Sequence, residues 1–288
     1  MIIISDLRGQ LCNRIFLTAY GLSLQAQTGQ AFLDFSLDKY AKLFPKTRRP
    51  AWAVMPYKVA RYAVRLAMKI GWASRIGRFL FIDVTYENSG EVSPGNPDFI
   101  ARLNRRTLTF LRVDQYFDLS KLKFPNVEII RQRFQPDPEI RQGVLDHVGR
   151  AKGDAEVLVG IHIRRSDYDV HLGGRHFYPL ELYLQAMERM VALLPDRKVA
   201  FLVCSDEAVP DDFLAPYRAT RGPGSLLGDL YGLAECDYLI GPPSTFSLWA
   251  AYYGRKQLYQ MTRPELPQNL DQFMIPDGHF ECYDLSNV

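Results

Sequence analysis

The chain has 288 residues, 47% of them hydrophobic and 23% charged, with a formal net charge of +3. That balance argues against a disordered or fibrous chain and fits two soluble domains of ordinary size. Its four cysteines (Cys12, Cys204, Cys236 and Cys282) form no C-x-x-C pair, and no apolar run reaches the length of a membrane span, so neither a disulfide scaffold, a zinc site nor a membrane helix is expected.

Residues 1–5 read as a strand and 11–28 as a helix, with Ile15, Ala19, Leu22 and Ala26 on one face and Gly29 as its stop. Residues 31–35, 78–85 and 108–113 are further strand candidates. Between 39 and 82 lie eleven Lys and Arg residues and no Asp or Glu, so the rest of the chain carries a negative balance. If 57–72 is one helix, Lys58, Arg61, Arg65 and Lys69 align as a stripe opposite Ala60, Ala63, Val64, Ala67 and Ile70. The stripe reads either as a solvated face or as a surface for anionic lipid or an acidic acceptor. No nucleic-acid recognition signature accompanies it, so nucleic acid is not an expected partner. Pro138 and Glu139 open a helix to about 150 with Asp137 as its N-cap. The turn at 151–154 is the expected boundary between a first domain, 1–152, that carries the basic insert, and a second, 153–288.

The second half is more regular. Strands are predicted at 156–163, 199–204, 238–240 and 257–260. Helices are predicted at 179–194, with Leu184, Met187, Met190 and Val191 inward, at 226–236, and at 244–253 stopped by Gly254. Strand and helix in alternation predict an α/β protein of two Rossmann-type, doubly wound domains facing a cleft.

Three loops carry chemistry. The strand ending Val159-Gly160-Ile161-His162-Ile163 delivers Arg164, Arg165, Ser166 and Asp167 to its carboxyl end, where open α/β sheets bind ligands. Paired guanidiniums there suit phosphate, or they pair with carboxylates. Gly9 lets backbone approach a ligand ahead of a helix N-terminus, or it makes an ordinary tight turn. After Gly241-Pro242-Pro243, Ser244 and Thr245 either cap the next helix or add hydroxyls to a phosphate site.

These stretches resemble one family. His162-Ile-Arg164-Arg165-Ser-Asp167-Tyr168 resembles the H-x-R-R-x-D-Y signature of the α1,2-fucosyltransferases. Gly9-Gln-Leu-Cys-Asn13-Arg14-Ile-Phe16 is similar to their G-G-L-G-N-Q-x-F motif, and Ser244-Thr-Phe-Ser-Leu-Trp-Ala-Ala251 to their S-T-F-S-W-W-A-A motif. The motifs stand in the family's order. Cys12 replaces a glycine, Arg14 a glutamine, Ser166 a glycine and Leu248 a tryptophan.

The resemblance implies a GT-B fold and metal-independent, inverting transfer of fucose from GDP-fucose to a glycan hydroxyl, galactose O2 being the first choice. It implies contacts from His162 to the nucleoside, Arg164 to the β-phosphate and Asp229 to the guanine edge, with Arg165 supporting the loop. Ser244, Thr245, Phe246 and Ser247 would line the base and phosphates. Gly9 and Asn13 would reach the pyrophosphate or sugar across the cleft. Arg164, Asn13 and Asp167 are the catalytic candidates. Asp6, Asp167 and Asp206 are the carboxylates available as base; Asp167 alternatively orients Arg164, and Asp206 either faces the ribose or ends its strand. A GDP-sugar- or glycan-binding protein without turnover, or a transferase with another GDP-sugar or linkage, are the readings left open. The start of the chain, residues 1–8, is too short and too polar for a signal peptide. The absence of a C-x-x-C pair reads as reduced thiols, so a cytoplasmic setting is expected, at the inner face of the membrane if the basic stripe meets lipid.

Overall fold

The structure is a computed structural model. It describes residues 1–4, 9–48, 51–71, 80–85, 87–113, 118–278 and 280, without the side chains of 38, 39, 51–54 and 67–71. The chain divides into two compact units, Met1–Asp137 with Gly278–Phe280, and Pro138–Asp277.

The first unit begins with β1 (Ile2–Ile4), α1 (Leu11–Thr28), β2 (Phe32–Asp34) and α2 (Ala51–Gly71). It continues with β3 (Phe81–Val84), α3 (Pro97–Asn104), β4 (Thr109–Val113) and α4 (Val127–Arg133). Its sheet has the order β2-β1-β4-β3, and every pair is parallel, with Ile3 level with both Leu33 and Phe110. Three consecutive isoleucines suit β1 because a central parallel strand is covered on both faces; all three are buried. Helix α1 buries Ile15, Ala19 and Leu22 as predicted, whereas Ala26 is exposed in its last turns. Gly29, at φ 67°, ends α1 by donating its N–H to the Gln25 carbonyl.

Helix α2 starts at Ala51, ahead of the predicted 57, and contains Pro56. Tyr57, Ala60 and Val64 pack against the Ile3, Phe35 and Phe110 cluster. Ala63, expected on the packed side, is exposed, and the side chains of Ala67 and Ile70 lie outside the described residues.

The second unit runs α5 (Pro138–Lys152), β5 (Val157–Ile163), α6 (Leu180–Leu193), β6 (Val199–Ser205) and α7 (Asp211–Leu214). It closes with β7 (Ala219–Arg221), α8 (Leu226–Glu235), β8 (Tyr238–Gly241), α9 (Thr245–Gly254) and β9 (Gln257–Gln260). Its sheet is parallel throughout, in the order β7-β6-β5-β8-β9. All seven residues of β5 are buried. Val157, Val159, Ile161 and Ile163 share one core with Tyr183, Met187 and Met190 of α6. Gly160 lies on the other face, where a Cβ would meet Leu233, Cys236 and Leu239 at 2.5–3.1 Å, so it lets α8 approach the sheet. Val191 of α6, expected inward, is 41% exposed.

The unit division falls at Asp137/Pro138, ahead of α5, whereas the sequence reading placed that helix in the first domain. The reason is packing: α5 buries Val144, Val148 and Ala151, and it lies against α8 and β6 of the second sheet. Gly254 is the last residue of α9 and not its left-handed stop; Arg255 takes that conformation, at φ 55°. A Cβ on Gly254 would lie 2.0 Å from the Ala234 carbonyl oxygen, so glycine is set there by helix contact.

Candidate functional site

From β5 the second unit winds outward through β6 and β7, then returns to the other side of β5 for β8 and β9. The direction reverses between β5 and β8. In open parallel sheets the crevice beyond the carboxyl ends at such a reversal is where ligands bind. In the first sheet the chain passes from β1 out to β2, crosses to the far edge at β3 and returns beside β1 at β4.

The period of two along β5 separates the two arginines that follow it. His162 lies on the side of α9, with its ring 5.1 Å from that of Phe246 and tilted by 31°. It is 5% exposed, and its Nδ1 is buried without a hydrogen-bond partner. Burial, then the Arg164 charge, pushes its pKa down to about 4 against the opposing pull of Asp206, so the ring is neutral at pH 7. Gly241 at the end of β8 makes room for it: a Cβ there would stand 3.0 Å from the His162 Cβ.

Arg164 Nη2 is 2.7 and 2.8 Å from the two carboxylate oxygens of Asp167, and Nη1 is 3.2 Å from Asp206 Oδ2. Its guanidinium stands 5.6 Å from the centre of the Tyr168 ring. Tyr168 donates its hydroxyl to the Pro243 carbonyl at 2.5 Å, tying the loop after β5 to the loop after β8. Burial raises the Tyr168 pKa to about 12, which keeps that donor protonated. Arg165 turns the other way. Its Nε pairs with Glu207 at 2.7 Å and its guanidinium lies 4.6 Å from the centre of the Phe177 ring.

Asp206 organises this loop. It accepts hydrogen bonds from the Arg165 amide at 3.0 Å and the Ser166 hydroxyl at 2.6 Å, besides its contact with Arg164. Burial alone would raise its pKa, but the Ser166 hydroxyl, the loop amides and Arg164 outweigh burial and hold the pKa below the ordinary carboxylate value. In this arrangement Asp206 grips backbone; it does more than end a strand.

Ser244 caps α9 by accepting the Phe246 amide at 3.2 Å, and Ser247 donates to the Ser244 carbonyl at 3.2 Å. Thr245 is the first helical residue and not the cap. Asp229 lies in the first turn of α8, where its carboxylate accepts the Gly224 amide at 2.8 Å. Burial raises its pKa, against the Gly224 amide, Cys204 and His147. His162, Arg164, Arg165, Asp167, Asp206, Asp229 and residues 244–247 therefore share the carboxyl edge of one sheet.

Gly9 and Asn13 belong to the first unit, at the start of α1. Gly9 has φ +76°, and a Cβ there would fall 2.6 Å from Asn13 Nδ2, so both conformation and space require glycine. Arg14, a departure from the family motif, donates to the Gly9 carbonyl at 3.0 Å and reaches the Ser36 carbonyl at 3.3 Å. Asp6 lies outside the described residues. The sequence reading passed over Glu207 and Tyr168 as site residues. The Asp206-Glu207 doublet after β6 was the available signal for the first, and the closing tyrosine of the H-x-R-R-x-D-Y stretch for the second. Among the described residues no cluster of His, Cys, Asp and Glu is arranged to hold a metal ion.

No family model matches the chain, and no curated protein matches it in sequence. Solved structures match it in fold. A mutant of FUT1 from Arabidopsis thaliana in complex with GDP is 15% identical, covering 93% of this chain and 71% of that one, with a TM-score of 0.57. NodZ α-1,6-fucosyltransferase co-crystallised with GDP is 18% identical over 86% of this chain and 91% of that one, with a TM-score of 0.55. Fucosyltransferase NodZ from Bradyrhizobium is 16% identical over 90% and 94%, with a TM-score of 0.54. What is shared at such identities is the fold: an α/β chain with two Rossmann-type parallel sheets, of the GT-B class.

Proposed function

We propose that the protein transfers L-fucose from GDP-fucose to a glycan hydroxyl, with inversion and without a metal. The observation that carries this reading is Arg164 at the strand-order reversal of the second sheet, over the ring of Tyr168, whose hydroxyl bonds the Pro243 carbonyl just ahead of α9. The fold likeness to GDP-bound fucosyltransferases supports it, and so do the three motif resemblances.

In this reading the acceptor oxygen attacks the anomeric carbon as the bond from that carbon to the β-phosphate oxygen breaks. The bonding pair leaves with GDP, and the acceptor proton passes to a base. Negative charge grows on the β-phosphate while the sugar gains oxocarbenium character. A guanidinium aimed at that oxygen stabilises the transition state more than the ground state. Asp229 accepts the guanine N–H donors, and Ser244, Thr245 and Phe246 flank the nucleotide. Asp167 serves as the resting partner of Arg164. The motif resemblance assigns Gly9 and Asn13 to the sugar and acceptor, and galactose O2 is the acceptor hydroxyl that the motifs favour.

The test is GDP release from GDP-fucose with and without galactosides, in the presence and absence of EDTA. Acceptor-stimulated release that EDTA leaves unchanged is the expected result. GDP binding with no release under any acceptor would favour a GDP-sugar-binding protein without turnover. Loss of release with EDTA would contradict the metal-free step.

A further inference from the structure

We propose that the outward face of α2 docks on an anionic lipid bilayer. Met55, Val59, Tyr62 and Leu66 are 66, 64, 72 and 48% exposed. At 3.6 residues per turn the four fall within about 60° of arc and form one stripe. It points away from Tyr57, Ala60 and Val64, which pack against the first sheet. A helix covering a sheet ordinarily presents polar residues to water on this side. Here it presents an aromatic and three aliphatic side chains in a row.

The predicted cation stripe proves to be a shoulder of this face. Lys58 and Arg65 are exposed beside the apolar row, and Arg61 is half-buried between the row and the sheet. Lys69 falls on the same shoulder by spacing, its side chain lying outside the described residues. No acidic residue between 39 and 82 offsets these charges.

Charge complementarity selects the occupant. Two copies packed stripe against stripe would bring like charges together. An anionic bilayer satisfies both features at once: headgroup phosphates meet the cations while the apolar row enters the acyl boundary. Long lysine and arginine stems let the charges stay at headgroup level, and a tyrosine suits that depth. Helix α2 is not apolar enough to cross a membrane, so it lies in the plane of the interface. The surface stands whatever the donor substrate.

The test is sedimentation of the full chain with vesicles of phosphatidylcholine alone and with an equimolar mixture of phosphatidylcholine and phosphatidylglycerol. Binding to the mixture only, weakened by salt, is the expected result. The double variants K58E/R65E and V59S/Y62S should each lower the affinity by about tenfold or more. All four positions are solvent-exposed, and circular dichroism checks that both variants fold. Equal binding to both vesicles, binding to neither, or binding unchanged in both variants would overturn the proposal. So would a concentration-dependent dimer that V59S/Y62S abolishes, which would assign the face to a second copy.

Discussion

Arg164 is held by two carboxylates, so under the proposed function a diphosphate would have to compete for it. The two competitors differ. Asp167 is 53% exposed, and an ion pair so open to water contributes about 0–1 kcal/mol, so under the proposed function an incoming phosphate is expected to displace it readily. Asp206, 18% exposed and bonded to loop backbone, stays and keeps the loop in shape. Arg164→Ala should therefore lower kcat by about 10²-fold or more with a smaller change in KM, read as GDP release. Asp167→Asn should keep kcat within about tenfold; a loss of about 10²–10⁴ would instead mark Asp167 as the base. His162 gives a pH signature. Its ring binds a proton less tightly folded, with a pKa of about 4, than unfolded at 6.5. The unfolded chain therefore takes up the proton first, and stability falls as pH drops from 6.5 towards 4, by up to about 3 kcal/mol. Denaturant unfolding across that range should show a shallower pH slope in His162→Gln; an identical slope would mean the imidazole is not held neutral. The residue types of this loop were legible in sequence because a strand run ended in them. Their pairing was not, because Glu207 and Pro243 reach them from other strands.

At the scale of elements, the loops after β5 and β8 form one edge because Tyr168 joins them and because α9 sits close on α8. Tyr168→Phe removes the bond to the Pro243 carbonyl and leaves a buried acceptor, so thermal unfolding should show a loss of about 1–3 kcal/mol. Gly254→Ala should cost about as much or more. The added methyl meets the Ala234 backbone, which cannot turn aside as a side chain would, and α9 carries Ser244–Ser247. Unchanged stability in Gly254→Ala would mean that the two helices are free to separate. The long strands and α1 were readable because apolar runs and a C-terminal glycine mark them locally. Strand β7 was not: Ala219-Thr220-Arg221 has no strand pattern of its own and exists by pairing with Phe201–Val203 of β6. Helix α3 was missed although Asn96-Pro97 is a start signal, because eight residues give too short a period to read. For α2, Ala60 and Val64 pack on the sheet and Ala63 does not, since apolar residues lie on more than one side of the helix and only the sheet decides which are covered.

For the whole molecule, alternation of strand and helix was enough to specify two parallel-sheet units. The place where the chain passes between them was not legible, because α5 belongs to the second unit by packing and not by composition. The second sheet reverses its strand order once, and that reversal collects motif residues that the sequence holds more than eighty positions apart. The most direct measurement is a crystal structure of the protein with GDP. The diphosphate should lie within hydrogen-bond reach of Arg164, with Asp167 displaced, Asp206 still holding the loop amides, and the guanine edge at Asp229. A diphosphate bound elsewhere, with Arg164 still gripped by both carboxylates, would contradict the assignment.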